Sequence, residues 1–191
     1  MTATTAAPVR LEFDDYVLYT ETHADEAFEL IDGVIYKLTP EGDPHLLTRS
    51  AIALHLSAVL DLGRFTPWTE ASFPAPGWAD GLKPDNFVSR GPLLIDGRIT
   101  MRPQSTDIAL VIEVASTSRP KDEERAGLYG RLNIPEYWSV DLRTAKVVAY
   151  SEPSDGIYRK TQTFLQGEML ASVSVDDLHV QVDFLLQLAT K

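Results

Sequence analysis

The sequence predicts an α+β fold: a mixed, strongly curved β-sheet packed against one long helix and a few short helices. Three observations carry this. Short apolar runs bounded by Gly, Pro and Asp precede and follow a small number of helical stretches, so the chain does not read as alternating βα units. The segment 45–62 repeats Leu47, Ala51, Leu54, Ala58 and Leu62 at helical spacing. The run from Asp107 to Ala115 is β-branched and aliphatic almost throughout, as in a strand buried on both faces.

The elements follow in order. Residues 1–10 are expected to be flexible. Leu11 to Tyr19 is a short helix, with Asp14 and Asp15 near the positive end of its dipole. Phe28 to Ile31, Asp32-Gly33 and Val34 to Leu38 form a hairpin, because Asp-Gly between two apolar runs suits a type I′ turn, and Glu29 falls in its first strand. The long helix begins at His45 and runs to about Leu62, with Gly63 as its stop. Its apolar face is broad enough for a sheet on one side and a second subunit on the other. Thr66 to Phe73 reads as a strand, Pro74-Ala75-Pro76-Gly77 as a turn, and Leu82 to Ser89 as a strand around Pro84-Asp85. Asp96-Gly97 is a second turn. After the buried strand, Ser116 to Pro120 breaks the chain and opens a helix to about Leu132, with Asp122, Glu123 and Glu124 in its first turn. Ile134 to Asp141 and Lys146 to Ser151 make a hairpin, Ile157 to Phe164 a further strand, Gly167-Glu168 a turn, and Val180 to Leu188 a terminal helix or strand.

At 191 residues, without repeats or low-complexity stretches, the chain is expected to form one domain spanning 1–191. Zero cysteines exclude disulfides, thiolate metal sites and cysteine nucleophiles. No apolar run approaches a membrane span and the start lacks the plan of a signal peptide, so a cytoplasmic location is the expectation. The net charge of −11 argues against a general nucleic-acid binder. Its distribution is uneven: from Lys83 to Arg131 there are eight basic and seven acidic residues, and the rest of the chain carries the acidic excess.

The strongest chemical signal is Glu113 inside the apolar run. A buried ionised carboxylate costs several kcal/mol unless a cation or hydrogen-bond donors compensate it. One solution is a divalent metal shared with a second hard oxygen ligand, for which Asp85, in the extended Lys83-Pro84-Asp85 segment, is the best candidate. Asp107 is excluded as that partner because six residues of extended strand separate it from Glu113 by roughly 20 Å. The alternative is a structural carboxylate paired with Arg119 or Arg125. His45 reads as a helix-start residue rather than a metal ligand, because no second histidine lies at ligand spacing. Tyr137-Trp138 reads as core packing.

The ordered set Glu29-Leu30-Ile31-Asp32-Gly33, Pro44-His45, Pro84-Asp85, Glu113-Val114-Ala115-Ser116 and Ile134 to Asp141 resembles the Uma-two family of restriction-endonuclease-like proteins, within the PD-(D/E)XK nuclease superfamily. The match runs from about Phe13 to Tyr150. The resemblance implies a restriction-endonuclease-like core, often a homodimer, with a magnesium site for phosphodiester hydrolysis in which manganese substitutes. It assigns Asp85 and Glu113 as metal carboxylates, the carbonyl of Val114 as a further ligand, and Glu29 as an auxiliary acid. The departure is the lysine: two residues after the Glu stands Ala115, and the alternative position on the following helix, four residues before Tyr129, is Arg125. Arginine stabilises charge but cannot act as a general base. Lys121, one turn earlier on the same face, is the substitute.

Two functions from different classes follow. The first is a magnesium-dependent endonuclease on DNA, using Asp85, Glu113, Lys121 or Arg125, and Glu29. The second is a nuclease fold without chemistry that serves as a binding or scaffold protein. A metal-dependent hydrolase of a small phosphorylated compound is a third reading.

Overall fold

A computed structural model describes residues 10–38, 42–74, 81–92, 94–95, 98–99, 103–115 and 121–187, without the side chains of 94–95, 98–99 and 121–123. The elements expected at 1–9, Ala75 to Gly77, Asp96-Gly97, Ser116 to Pro120 and Leu188 lie outside the described residues.

The chain opens with α1 (Phe13–Thr22), then β1 (Phe28–Ile31) and β2 (Val34–Lys37). The turn between these strands has φ +49° at Asp32 and +75° at Gly33, the left-handed pair that a type I′ hairpin needs. The long helix α2 (Asp43–Val59) starts with Pro44 in its first turn and is capped at Leu60, three residues before the expected Gly63. Pro44 suits that position because its missing N–H would have no helical partner there.

Two expected strands are each split between sheets. Thr66 to Phe73 becomes β3 (Phe65–Thr69) and β4 (Phe73–Pro74), parting at Glu70 with φ +47°. Leu82 to Ser89 becomes β5 (Gly81–Leu82) and β6 (Asn86–Arg90), parting at Lys83-Pro84-Asp85. Pro84 supplies the reason for the second split, since it has no N–H to continue a ladder.

The hairpin β7 (Leu94–Ile95) and β8 (Arg98–Ile99) and a 3-10 turn at Ser105–Asp107 lead into β9 (Ile108–Ala115). Then come α3 (Lys121–Arg131), β10 (Glu136–Asp141), β11 (Lys146–Ser154) and β12 (Ile157–Phe164). The hairpin β13 (Met169–Ala171) and β14 (His179–Gln181), not foreseen, precedes the short α4 (Val182–Leu185).

Six strands form the main sheet in the order β12-β11-β10-β9-β6-β3. Only β9 and β10 run parallel, and α3 is the crossover that joins them. The small sheet, β2-β1-β5-β4, abuts it at the 82-to-86 seam. Gly81 is needed in β5, because a Cβ there would meet the Tyr16 ring of α1 at 2.8 Å.

Alternation along the strands divides the core. Leu110, Ile112, Val114, Trp138 and Val140 face one side, where Ile52 and Leu56 of α2 and Leu185 of α4 cover them. Val111 and Tyr137 face the other, beneath Ala126, Leu128 and Tyr129 of α3. Glu113 shares the face of Val111, two residues away, and so lies under α3. None of the described helices is long and apolar enough to cross a membrane.

Glu136 shows how this fold neutralises a structural acid. It is 2% exposed and accepts from Trp138 Nε1 at 2.7 Å, from the Ser172 and Ser174 hydroxyls at 2.6 and 2.8 Å, and from the backbone N–H groups of Val173 and Ser174. Removing the acceptor strands several donors at once, so Glu136→Ala should lower unfolding stability in urea by at least about 2 kcal/mol. A loss near zero would mean that this network holds nothing in place.

Candidate active site

The site forms where the chain passes from the small sheet to the main one. The β6–β9 ladder ends at the pair Asn86 and Ile112, and Asp85 and Glu113 come next on the two strands. Here side chains replace the backbone ladder. The Asp85 N–H donates to Glu113 Oε2 at 3.2 Å, and the Val114 N–H donates to Asp85 Oδ2 at 2.8 Å. Asp85 Oδ2 also meets His45 Nε2 at 3.0 Å, and Tyr129 donates to Glu113 Oε1 at 2.5 Å.

Glu29, expected in the first strand of the hairpin and as an auxiliary acid, is buried in β1. It accepts a fork of two bonds from Arg125, at 2.6 and 2.7 Å, and the Lys83 N–H at 3.2 Å. The Arg125 guanidinium comes within 3.9 Å of Glu113 Oε1. Glu29, Asp85, Glu113 and Arg125 are therefore one cluster, assembled from β1, the seam, β9 and α3. Lys121 begins α3, but its side chain lies outside the described residues, as does Arg119, the other proposed partner of Glu113. Asp107 is elsewhere, closing its own turn on the Gln104 N–H.

Sequence reasoning missed the residues that surround the acids. His45 is 1% exposed and bonded to Asp85, so it is more than a helix-start residue. Arg49, one turn on along the same helix face, has Nη1 4.0 Å from Asp85 Oδ1 and 2.9 Å from Glu70 Oε1. The four-residue spacing of His45 and Arg49 was the available signal; what it lacked was a partner nearby in sequence.

The electrostatics centre on Glu113. Burial pushes its carboxyl from 4.5 up to about 8; Arg125 and the Tyr129 hydroxyl pull it down, while Asp85 and Glu29 push it up. Burial and the Glu113 charge raise Tyr129 well above 10, so it stays a neutral donor. Burial alone would lower Arg125, but Glu113, Tyr129 and Glu29 outweigh it and hold the guanidinium charged.

Asp85, Glu113 and the Val114 carbonyl offer hard oxygens. Val114 aims its N–H at the Asp85 edge, and in a strand the N–H and C=O of one residue share an edge. Among the described residues no group of three or more His, Asp or Glu side chains is spaced to hold a metal. Two carboxylates with a carbonyl is a donor set that suits magnesium, which keeps several waters, better than zinc.

A family model, Uma2, described as "Putative restriction endonuclease", matches residues 13–183. The chain belongs to the Uma2 family. A crystal structure described as a "putative nuclease belonging to DUF820 from Anabaena variabilis ATCC 29413" aligns with this Uma2 chain at a TM-score of 0.73 and 18% identity, covering 96% of this chain and 100% of that one. At that identity the likeness speaks to the fold: a mixed α+β, nuclease-like architecture. No curated protein matches.

The raised Glu113 pKa makes stability pH-dependent. The folded chain holds this proton more tightly than the unfolded chain, so the contribution is fully present below about 4.5 and is lost as pH rises through about 8. In chelator-treated protein, Glu113→Gln should flatten the stability profile across this window, where the wild type should lose up to about 1.4 kcal/mol per pH unit relative to the variant. Parallel profiles for the two proteins would contradict the assignment.

Proposed function

We propose that this Uma2 chain is a magnesium-dependent endonuclease that hydrolyses DNA phosphodiester bonds. The observation that carries the reading is the convergence of Asp85 and Glu113, 28 residues apart in sequence, through the bond from the Asp85 N–H to Glu113. Two acids this close, with Asp85 among the groups that raise Glu113 after burial, would favour a shared cation. The family's description as a restriction endonuclease and the neighbour's as a nuclease support the same reading.

Asp85, Glu113 and the Val114 carbonyl would hold the ion. When bound, magnesium supplies Lewis acidity toward the phosphate and lowers the pKa of water. The chain's own groups do the rest. His45 fixes the Asp85 carboxylate and Tyr129 fixes that of Glu113, so neither rotates out of position. Arg125, braced by Glu29, holds a permanent positive charge beside Glu113 where the phosphate would gain negative charge. Lys121, at the start of α3, is the second candidate for this role.

The rival reading, a scaffold that has lost its chemistry, draws on Ala115 and on the commitment of Arg125 to Glu29. Purified protein with supercoiled plasmid and magnesium or manganese separates the two. Nicking should appear with the metal and fall at least about 100-fold in Asp85→Ala and in Glu113→Ala. Equal nicking by wild type and both variants, or none by any of them, would remove the endonuclease reading.

The reading includes a homodimer, which would cover Leu47 and Leu54 of α2, 56% and 74% exposed. Sedimentation should give twice the chain mass, and Leu54→Glu should return a monomer.

A further inference from the structure

We propose that Arg49 and Lys83 are the phosphodiester-binding edge of this site, with Glu70 as an internal anion that occupies them until a strand of nucleic acid arrives. The inference rests on the endonuclease reading and goes past it, because neither cation belongs to the expected set.

The geometry begins with what Arg125 can offer. Its fork is closed on Glu29, which is 2% exposed, so an incoming phosphate cannot take both bonds without stranding a buried carboxylate. The other edge differs. Arg49 on α2 and Lys83 in the seam converge on one oxygen of Glu70, at 2.9 and 3.8 Å. Arg49 Nη1 lies 4.0 Å from Asp85 Oδ1, so this cation pair borders the candidate metal ligand.

Three features suggest that Glu70 is a stand-in. Its side chain is 48% exposed and can leave for solvent, whereas Arg49, 11% exposed, needs another anion in its place. Its backbone is fixed against the site, with its N–H on the Asp85 carbonyl at 3.1 Å and a left-handed φ of +47° that few residues adopt without a local reason. It also lines a cavity of about 270 Å3 with Tyr16, Trp68 and Ser72, which gives the carboxylate somewhere to go.

Arg49 is built to receive a larger anion than it holds. Its side chain is 11% exposed, and its buried Nε has no hydrogen-bond partner among the described residues. A guanidinium presents a fork matched to two oxygens of a phosphate, whereas here a single Nη1 bond is made to a single oxygen. Displacing Glu70 frees the point on which Arg49 and Lys83 converge, beside Asp85. A phosphodiester fits both the charge and the fork. This also accounts for how a chain of net charge −11 can engage nucleic acid.

The test is binding of a labelled duplex oligonucleotide to the full chain in calcium buffer across a salt series. Arg49→Ala and Lys83→Ala should each weaken affinity about tenfold and make the slope of log K against log salt shallower by about 1, the signature of one lost phosphate contact. Glu70→Gln should tighten binding several-fold, and Arg49→Lys should restore part of the Arg49→Ala loss. Melting temperature should stay near wild type in Lys83→Ala and Glu70→Gln, so that their changes in affinity do not report a change in folding. An unchanged salt slope in both alanine variants, or weaker binding by Glu70→Gln, overturns the inference. If wild type nicks plasmid while the variants keep full affinity and slope, only this inference falls. If wild type neither binds nor nicks, the endonuclease reading falls with it.

Discussion

The constraint on which the site depends is the end of one β-ladder. Beyond Asn86 and Ile112, strands β6 and β9 stop exchanging backbone bonds, and Asp85 and Glu113 take over by accepting N–H groups from each other's strands. Pro84 makes this necessary, since it cannot donate and the chain must turn toward the small sheet. The carboxylates therefore hold the seam together while they approach each other. Holding it keeps the two carboxyl groups close, and after burial and the opposing pull of Arg125, Asp85 is the next cause acting on Glu113, raising it.

The buried acids Glu136 and Glu29 and the half-buried Asp85 and Glu113 are compensated in different ways. Glu136 receives five hydrogen bonds from neutral donors and is closed off from further partners. Glu29 has a full guanidinium fork. Asp85 has His45 and a backbone N–H. Glu113 has only a tyrosine hydroxyl and one N–H within bonding distance, with the guanidinium at 3.9 Å. Burial, set against these partners, pushes its carboxyl up to about 8.

Much of the fold was legible because its signals are local. Asp32-Gly33 encodes its own hairpin, Leu47 to Leu62 shows a helical period, and the run from Ile108 to Ala115 announces a buried strand. The two split strands were not legible. Nothing in the alternation of 66–73 or 82–89 says that a continuous extended stretch will leave one sheet and join another; Glu70 and Pro84 mark the points only once the neighbouring sheet is known. The same boundary divides the site. An acid in an apolar run stands out by itself, so Glu113 could be singled out, and Asp85 followed from the need for a second oxygen. His45, Arg49 and Tyr129 look ordinary in isolation, because what distinguishes each is a contact across 16 to 40 residues of chain.

An arginine in place of the expected lysine constrains what the cluster can do. Ala115 stands where a lysine would share a face with Glu113, and the charge returns instead from α3 as Arg125. The exchange divides two roles that one amine can combine. A guanidinium keeps its charge at every accessible pH, so Arg125 can stabilise an anion but cannot take a proton from water. Its two bonds to Glu29 also fix its plane, which trades the reach of a flexible lysine for a set orientation. On the proposed hydrolytic reading, a proton leaving an attacking water would go to a group with a lone pair, which in this cluster means a carboxylate, His45 or the substrate phosphate itself. Charge stabilisation and proton acceptance would then fall to different residues, and the first of them is built into the helix that covers the sheet.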